Sequence, residues 1–391
     1  MKFKVFSKIR FFFLIYSVMI FSACHDSDKI EPEYGERTVL IYMAADNNLN
    51  KDGETNIKSI LKGMEQTAGR LVIYIDPRYD VPRLLTVKGG KGCRLDTLET
   101  YTEENSASPE VLARVVQEVQ KRYPASSYGL VLWSHGLGWV PPEYSFPGGY
   151  AMRLPDPDMP RTKYYAEDEH PGTTGKAYMD IREMAARLPG HFNFILWDVC
   201  FMGGIEVAYE LRNKTDYLIA SPAEVISDGF PYEKIVPLLW GGEEAMKQIC
   251  REYYNHYNKY PVNSLWRSAV VGLVKTGELE PLAAKVRTLL AGKTDYARAW
   301  HYPLNQGGLP MVFFDFGDYI RKMTTEEEYN SFKKLLDRVV IYKAATEKLF
   351  GEEVPADKFS GLTSYIPFSE WSDMNTYYYT LDWGATVYEN N

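Results

Sequence analysis

The chain lacks an excess of positive charge: 44 Lys and Arg stand against 52 Asp and Glu in 391 residues. A basic face for nucleic acid or an anionic surface is therefore not expected. No membrane-length run stands out either. One uninterrupted apolar or small stretch, FFFLIYSVMIFSA at residues 11–23, has about 13 residues, too few to span a bilayer comfortably. Internal repeats and low-complexity tracts are missing. With 45% hydrophobic and 25% charged residues, the composition is neither disordered nor fibrous, and it supports a large core in one or two domains. Cysteine is scarce, with four in the whole chain. Aromatic residues are not: 30 Tyr and 8 Trp suit an extracellular protein that touches peptides or sugars, but identify neither.

Lys2, Lys4, Lys8 and Arg10 precede the apolar stretch, and a basic start followed by a run of that length reads as a signal peptide over residues 1–23. It ends in FSAC, which resembles the lipobox of bacterial lipoproteins with Phe21 in place of the usual Leu, so Cys24 is the expected lipidated first residue of the mature chain. The implied location is the bacterial cell envelope, anchored to a membrane by lipid at the outer membrane or cell surface. Residues 24–37 are polar with Pro and Gly and read as a tether. Losing the leader removes four of the 44 basic residues and none of the 52 acidic ones, leaving 40 against 52 and a net charge near −12. It also leaves Cys93, Cys200 and Cys250, an odd number, so at least one thiol stays free or pairs with another chain.

From residue 38 the pattern becomes regular. TVLIYMAAD (38–46), RLVIYID (70–76), YGLVLW (128–133), FNFILW (192–197) and DYLIAS (216–221) read as strands. Between them, ETNIKSILKGMEQ, SPEVLARVVQEVQKRYP, MDIREMAARLPG and IEVAYELRN carry helical spacing, the second opening at Ser-Pro and closing at Pro124. Continuous apolar strands alternating with helices predict an α/β fold with a mostly parallel sheet covered on both faces. Residues 136–178 break the pattern with Pro, Gly and charge, and a stretch that long inside a compact domain is expected to be functional or processed. The portion from about residue 276 is richer in helix, including EEEYNSFKKLLDRVVIYKAATEKLF, with a late strand-like GLTSYIPF.

Two strands run into reactive residues: YGLVLW into Ser134-His135-Gly136, and FNFILW into Asp198-Val199-Cys200. In a parallel sheet the carboxyl ends share one edge, where ligands bind. One helical crossover separates the two strands, so a thiol and an imidazole are expected in one cleft. A free thiol is mostly protonated at neutral pH, and a neighbouring imidazole supplies the base and then the acid that thiolate attack on a carbonyl requires. The N–H groups of Gly136 and Cys200 are candidate oxyanion donors. His170, His191, His256 and His301 have no comparable setting, and Cys93 and Cys250 read as structural.

TVLIYMAADNNLN, LVLWSHGLGW, ILWDVCFMGGIEVAYEL, SDGFPY and GLTSYIPF, in this order from about residue 38 to 368, resemble the clostripain family of cysteine peptidases. The resemblance implies a caspase-like three-layer α/β sandwich with a mostly parallel central sheet and a helix-rich C-terminal portion. It divides the peptidase domain, residues 38–391, into a core over about 38–275 and an extension over 276–391. It implies a His135-Cys200 dyad, an acyl-enzyme, and cleavage after Arg or Lys, with Asp198 and Asp228 as substrate-binding acids. A carboxylate in a narrow pocket suits a guanidinium or ammonium, although Asp198 reads equally as a structural acceptor and Asp-Gly at 228 as a turn.

No metal is required for bond breaking. NLNKDG (48–53) imitates half a calcium loop but has Asn48 first and Ser59 twelfth, where the motif needs Asp and Glu; some relatives use calcium, which keeps that ion open as a cofactor. The partners implied are a peptide or protein substrate and a membrane reached through lipid. Family members can be cut into chains within the segment matching 140–177, where Arg153, Arg161, Lys163 and Lys176 are available. Two rival readings are a catalytically silent glycan- or peptide-binding lipoprotein, and a thiol esterase or amidase.

Overall fold

The computed structural model describes residues 35–141, 158–163, 179–305 and 312–388. The leader, Cys24, Arg153 and Lys176 lie outside the described residues. The elements run β1 (Gly35–Ala45), α1 (Asn50–Met64), β2 (Arg70–Pro77), β3 (Arg83–Lys88), β4 (Arg94–Thr100), α2 (Pro109–Arg122), β5 (Ala125–Trp133), α3 (Ile181–Arg187), β6 (Phe192–Asp198), α4 (Ile205–Glu210) and β7 (Thr215–Ala220). They continue with α5 (Tyr232–Ile235), α6 (Glu243–Asn258), β8 (Val270–Lys275), α7 (Leu279–Leu290), β9 (Phe314–Asp315), α8 (Phe316–Met323), α9 (Glu326–Val339) and β10 (Val340–Ala345), and end in helices α10 (Ser372–Tyr378) and α11 (Asp382–Tyr388).

Nine strands form one sheet in the order β10-β8-β7-β6-β5-β1-β2-β3-β4. The five central strands, β7 to β2, are mutually parallel, and the strands outside them pair antiparallel. From β1 the chain steps one way to β2, whereas β5, β6 and β7 step the other way. Right-handed crossovers then put α1 on one face and α3 and α4 on the opposite face. Helix contacts follow that division: α1 packs with α5 and α5 with α6, while α2, α3, α4, α11 and α7 form a separate chain of contacts. The result is the three-layer, caspase-like α/β arrangement.

Burial explains why the central strands read as continuous apolar runs. Phe194, Ile195 and Leu196 of β6 are fully shielded, each side chain gaining about 1.5–3 kcal/mol relative to exposure. The expected start of α2 holds: the Ser108 side chain accepts from the N–H groups of Glu110 and Val111, and Pro109 occupies the first turn. Such a cap contributes about 1 kcal/mol.

Three expectations shift. The first strand begins at Gly35 and takes in the last three residues expected in the tether. The helical reading of EEEYNSFKKLLDRVVIYKAATEKLF holds only as far as Val339, because the β-branched and aromatic residues after it form β10 and pair with β8. The portion from residue 276 also contributes to the main sheet through β10, and the described residues form one compact unit. Among the described residues no helix is long and apolar enough to cross a membrane.

Candidate active site

The β5–β6 register pairs Trp133 with Asp198, and each strand stops there. His135 and Cys200 follow at the same offset, two residues past the pair, on the carboxyl edge of the sheet. Between them the chains touch: a Cβ on Gly136 would come within 2.3 Å of Val199 Cγ1, so only glycine lets the backbone turn this close to the 199–200 segment. Phe201, directly after the thiol, holds a left-handed backbone with φ 61°, and its ring stacks on Phe313 at 4.3 Å. A non-glycine residue pays roughly 1–3 kcal/mol for such a conformation, here held in place by the stack and by the Phe201 N–H bond to the Ala223 carbonyl.

His135 Nε2 lies 2.7 Å from Asn48 Oδ1, on the turn after β1. A carboxamide oxygen only accepts, so this contact keeps the proton on Nε2 and leaves Nδ1 as the basic nitrogen. Asn48 was legible only as a defective calcium ligand. The calcium-loop reading itself gives way to helix: residues 50–64 are α1, and Ser59 Oγ accepts from the Glu233 N–H.

Cys200 is fully buried, and its Sγ accepts from the Val225 N–H at 3.1 Å. Burial pushes the thiol well above its ordinary pKa, and the nearby Glu224 carboxylate pushes it further the same way. Among the described residues Cys93, Cys200 and Cys250 are all free thiols. Cys250 is buried on α6, and the Cys93 thiol donates to the Leu61 carbonyl at 2.9 Å.

Beside the thiol sits a residue that sequence alone left as one of four alternatives. Lys163 Nζ is 2.7 Å from Asp198 Oδ1, with both side chains 0% exposed. The ammonium also lies 4.4 Å from the Trp133 ring centroid and donates to the Asp198 carbonyl oxygen at 3.2 Å. Burial pulls the Lys163 pKa below its usual value, opposed by the Asp198 charge. The second Asp198 oxygen accepts from Tyr232 Oη at 2.9 Å and from the Phe230 N–H. Gly229 closes the pocket: with φ 72°, a Cβ there would stand 2.4 Å from Asp198 Oδ2 and 2.7 Å from Lys163 Nζ. Asp228 is next to this pocket, but its carboxylate accepts from Tyr260 Oη at 2.6 Å while its backbone carbonyl accepts from Asn56.

The segment carrying Lys163 lies as an extra antiparallel strand. Its N–H donates to the Val225 carbonyl at 2.8 Å, the Ser227 N–H donates to the Arg161 carbonyl at 2.9 Å, and Thr162 bridges Ile226 between them. The Lys163 carbonyl oxygen accepts from the Gly136 N–H at 3.3 Å. A basic side chain thus fills an acidic pocket while the carbonyl on its C-terminal side reaches an N–H expected to stabilise an oxyanion.

Asp46, Asp76 and Glu103 are a group of three whose carboxylate oxygens fall within 4.8 Å of one another. Such oxygens suit a hard cation, whose further ligands would be backbone carbonyls or waters. The group lies near the ends of β1 and β2, and no step of the chemistry below passes through it.

The model of the clostripain family matches residues 41–383. Clostripain of Hathewaya histolytica is 26% identical over 235 residues, covering 52% of this chain and 42% of that protein, so the alignment spans less than half of clostripain's length. The structure of an inactive zymogen C11 protease from Parabacteroides distasonis superposes with a TM-score of 0.75 and 34% identity, covering 91% of this chain and 99% of that one. A secreted C11 cysteine protease from Bacteroides thetaiotaomicron, in complex with an irreversible peptide inhibitor, gives a TM-score of 0.75 and 29% identity over 91% of this chain and all of that one.

Proposed function

Because the chain belongs to the clostripain family of cysteine peptidases, we propose that it is an endopeptidase cleaving after Lys or Arg, held in the present structure as an uncut precursor. The observation that carries this reading is the buried Lys163–Asp198 ion pair on a strand docked beside Cys200. In the reaction, His135 Nδ1 takes the Cys200 proton and the thiolate adds to the carbonyl carbon of the basic residue. The Gly136 N–H, with that of Cys200, holds the resulting oxyanion. Collapse expels the amine, protonated by His135, and leaves an acyl-enzyme that water hydrolyses. Asp198 selects the basic side chain; Asp228 shapes the turn that closes the pocket.

Applied to the chain itself, the same chemistry cleaves after Lys163. Of the four basic residues in the segment, Lys163 has its side chain in the acidic pocket and its carbonyl on the Gly136 N–H, whereas Arg161 pairs with Asp52. Cleavage would free the pocket for other peptides. Cys24 is the proposed lipid anchor, supported by FSAC at the end of the leader; Cys24→Ser should release the protein from the membrane fraction.

Fluorogenic amides ending in Lys, Arg and Gln, with Cys200→Ala as control, test the activity. Turnover of the basic peptides alone, lost in the control, is expected. Basic-peptide turnover that survives Cys200→Ala would contradict the mechanism, and esters cleaved without basic-residue preference would favour a thiol esterase.

A further inference from the structure

The docked segment holds more than Lys163. Arg161 Nη2 lies 2.8 and 2.9 Å from the two carboxylate oxygens of Asp52, in the first turn of α1, where the Asp52 side chain is 14% exposed and that of Arg161 63%. Thr162 Oγ1 donates to Glu224 Oε2 at 2.6 Å, and both residues are buried. The other Glu224 oxygen accepts from the Asn305 N–H at 2.7 Å, while Asn305 Nδ2 donates to the Pro160 carbonyl at 2.7 Å. Each of three consecutive side chains therefore meets its own acidic group: Lys163 on Asp198, Thr162 on Glu224, Arg161 on Asp52. The acids come from three separate parts of the chain, β6, the loop after β7 and α1, so their alignment along one strand arises from the tertiary fold.

We infer that Asp52 and Glu224 are specificity residues for substrates cut in trans, selecting a second basic residue at the third position before the scissile bond and a hydroxyl residue at the second. The inference rests on the endopeptidase reading above and narrows its substrate class to peptides of the type basic–Ser/Thr–Lys/Arg. The two positions differ in strength. The Asp52 subsite opens to solvent, so its ion pair is worth at most about fivefold. The Glu224 subsite is closed, and a residue without a hydroxyl forfeits the 2.6 Å charge-assisted bond to a buried carboxylate, a loss of about tenfold or more. A carboxylate at the third position would oppose Asp52 directly.

The test uses the full chain after cleavage following Lys163, with an added lysine-specific peptidase, later removed, if it does not cut itself. Its probes are fluorogenic amides of Arg-Thr-Lys, Gln-Thr-Lys, Glu-Thr-Lys and Arg-Val-Lys. The expected order of kcat/KM places Arg-Thr-Lys first, Gln-Thr-Lys about two- to fivefold lower, Glu-Thr-Lys lower again, and Arg-Val-Lys about tenfold or more below the first. In Asp52→Asn the ratio of Arg-Thr-Lys to Gln-Thr-Lys should fall to about one. Equal kcat/KM for all four peptides, or an Arg-to-Gln ratio unchanged by Asp52→Asn, would overturn the inference and leave the basic-residue reading intact. No turnover of any Lys-ended peptide would overturn both.

Discussion

Lys163 and Asp198 face each other at 2.7 Å with no solvent reaching either side chain. An unpaired charge at such a site is strongly unfavourable, so removing one partner should cost about 3–5 kcal/mol. In the uncut protein, prepared as Cys200→Ala, Asp198→Ala should lower the urea midpoint accordingly. Adding Lys163→Ala should recover part of the loss, since the orphaned ammonium is then gone. An Asp198→Ala protein as stable as its parent would show that the pair contributes nothing to holding the segment.

Gly229 is required for space as well as for its left-handed backbone. Gly229→Ala would put a methyl group 2.7 Å from the ammonium position and 2.4 Å from Asp198 Oδ2. The cut form of this variant should turn over Lys and Arg peptides with kcat/KM reduced by about 100-fold or more, the pair's charge-assisted contact being lost. Steady-state kinetics on Lys and Arg amides will measure it.

Asn48 holds the His135 proton on Nε2 through the 2.7 Å contact. Asn48→Ala should lower kcat by about 10- to 100-fold, part of the contribution of a positioned general base, with little change in KM. Asn48→Asp should retain much of the rate, because a carboxylate oxygen accepts the same bond. A rise in KM with kcat unchanged would assign Asn48 to substrate binding instead.

Much of this site is legible in the sequence. The runs ending at Trp133 and Trp197 are apolar because both faces of the central sheet are covered, so their ends, and with them His135 and Cys200, could be placed on one edge. Residues that work through tertiary contacts had no such signal. Lys163 lies in a segment without periodicity, and Asp52, the one acid in the first turn of α1, reads as an ordinary helix-start carboxylate. Glu224 follows a strand without any motif of its own. Asn48 was visible only against the calcium-loop template, which α1 replaces. Strand β4 was missed because it has no buried residue and so shows no apolar run; β3 buries only the four residues Leu84–Val87, one of them Thr86, too short a run to stand out.

Glu206, behind the loop that follows Cys200, links that loop to the C-terminal portion. Its Oε1 accepts from the Tyr365 N–H at 2.8 Å and from Tyr378 Oη at 3.1 Å. Burial lifts its pKa from 4.5 to about 7. Between about pH 4.5 and 7 the folded protein thus keeps a proton that the unfolded chain has released. The stabilisation is complete below about pH 4.5 and is lost as pH rises through about 7, a change of about 3 kcal/mol at about 1.4 kcal/mol per pH unit. Glu206→Gln, which mimics the protonated acid, should remove this part of the slope and unfold at higher urea than the parent at pH 7.5. Denaturation curves at pH 5, 6 and 7.5 for both proteins will decide it.

The central claim is that the Lys163 segment sits in the site as the substrate of Cys200, and intact-mass spectrometry tests it most directly. Wild type incubated at neutral pH should yield a fragment ending at Lys163 and another beginning at Tyr164, while Cys200→Ala remains whole under the same conditions. Wild type that stays whole, or the same fragments appearing from Cys200→Ala, would contradict it.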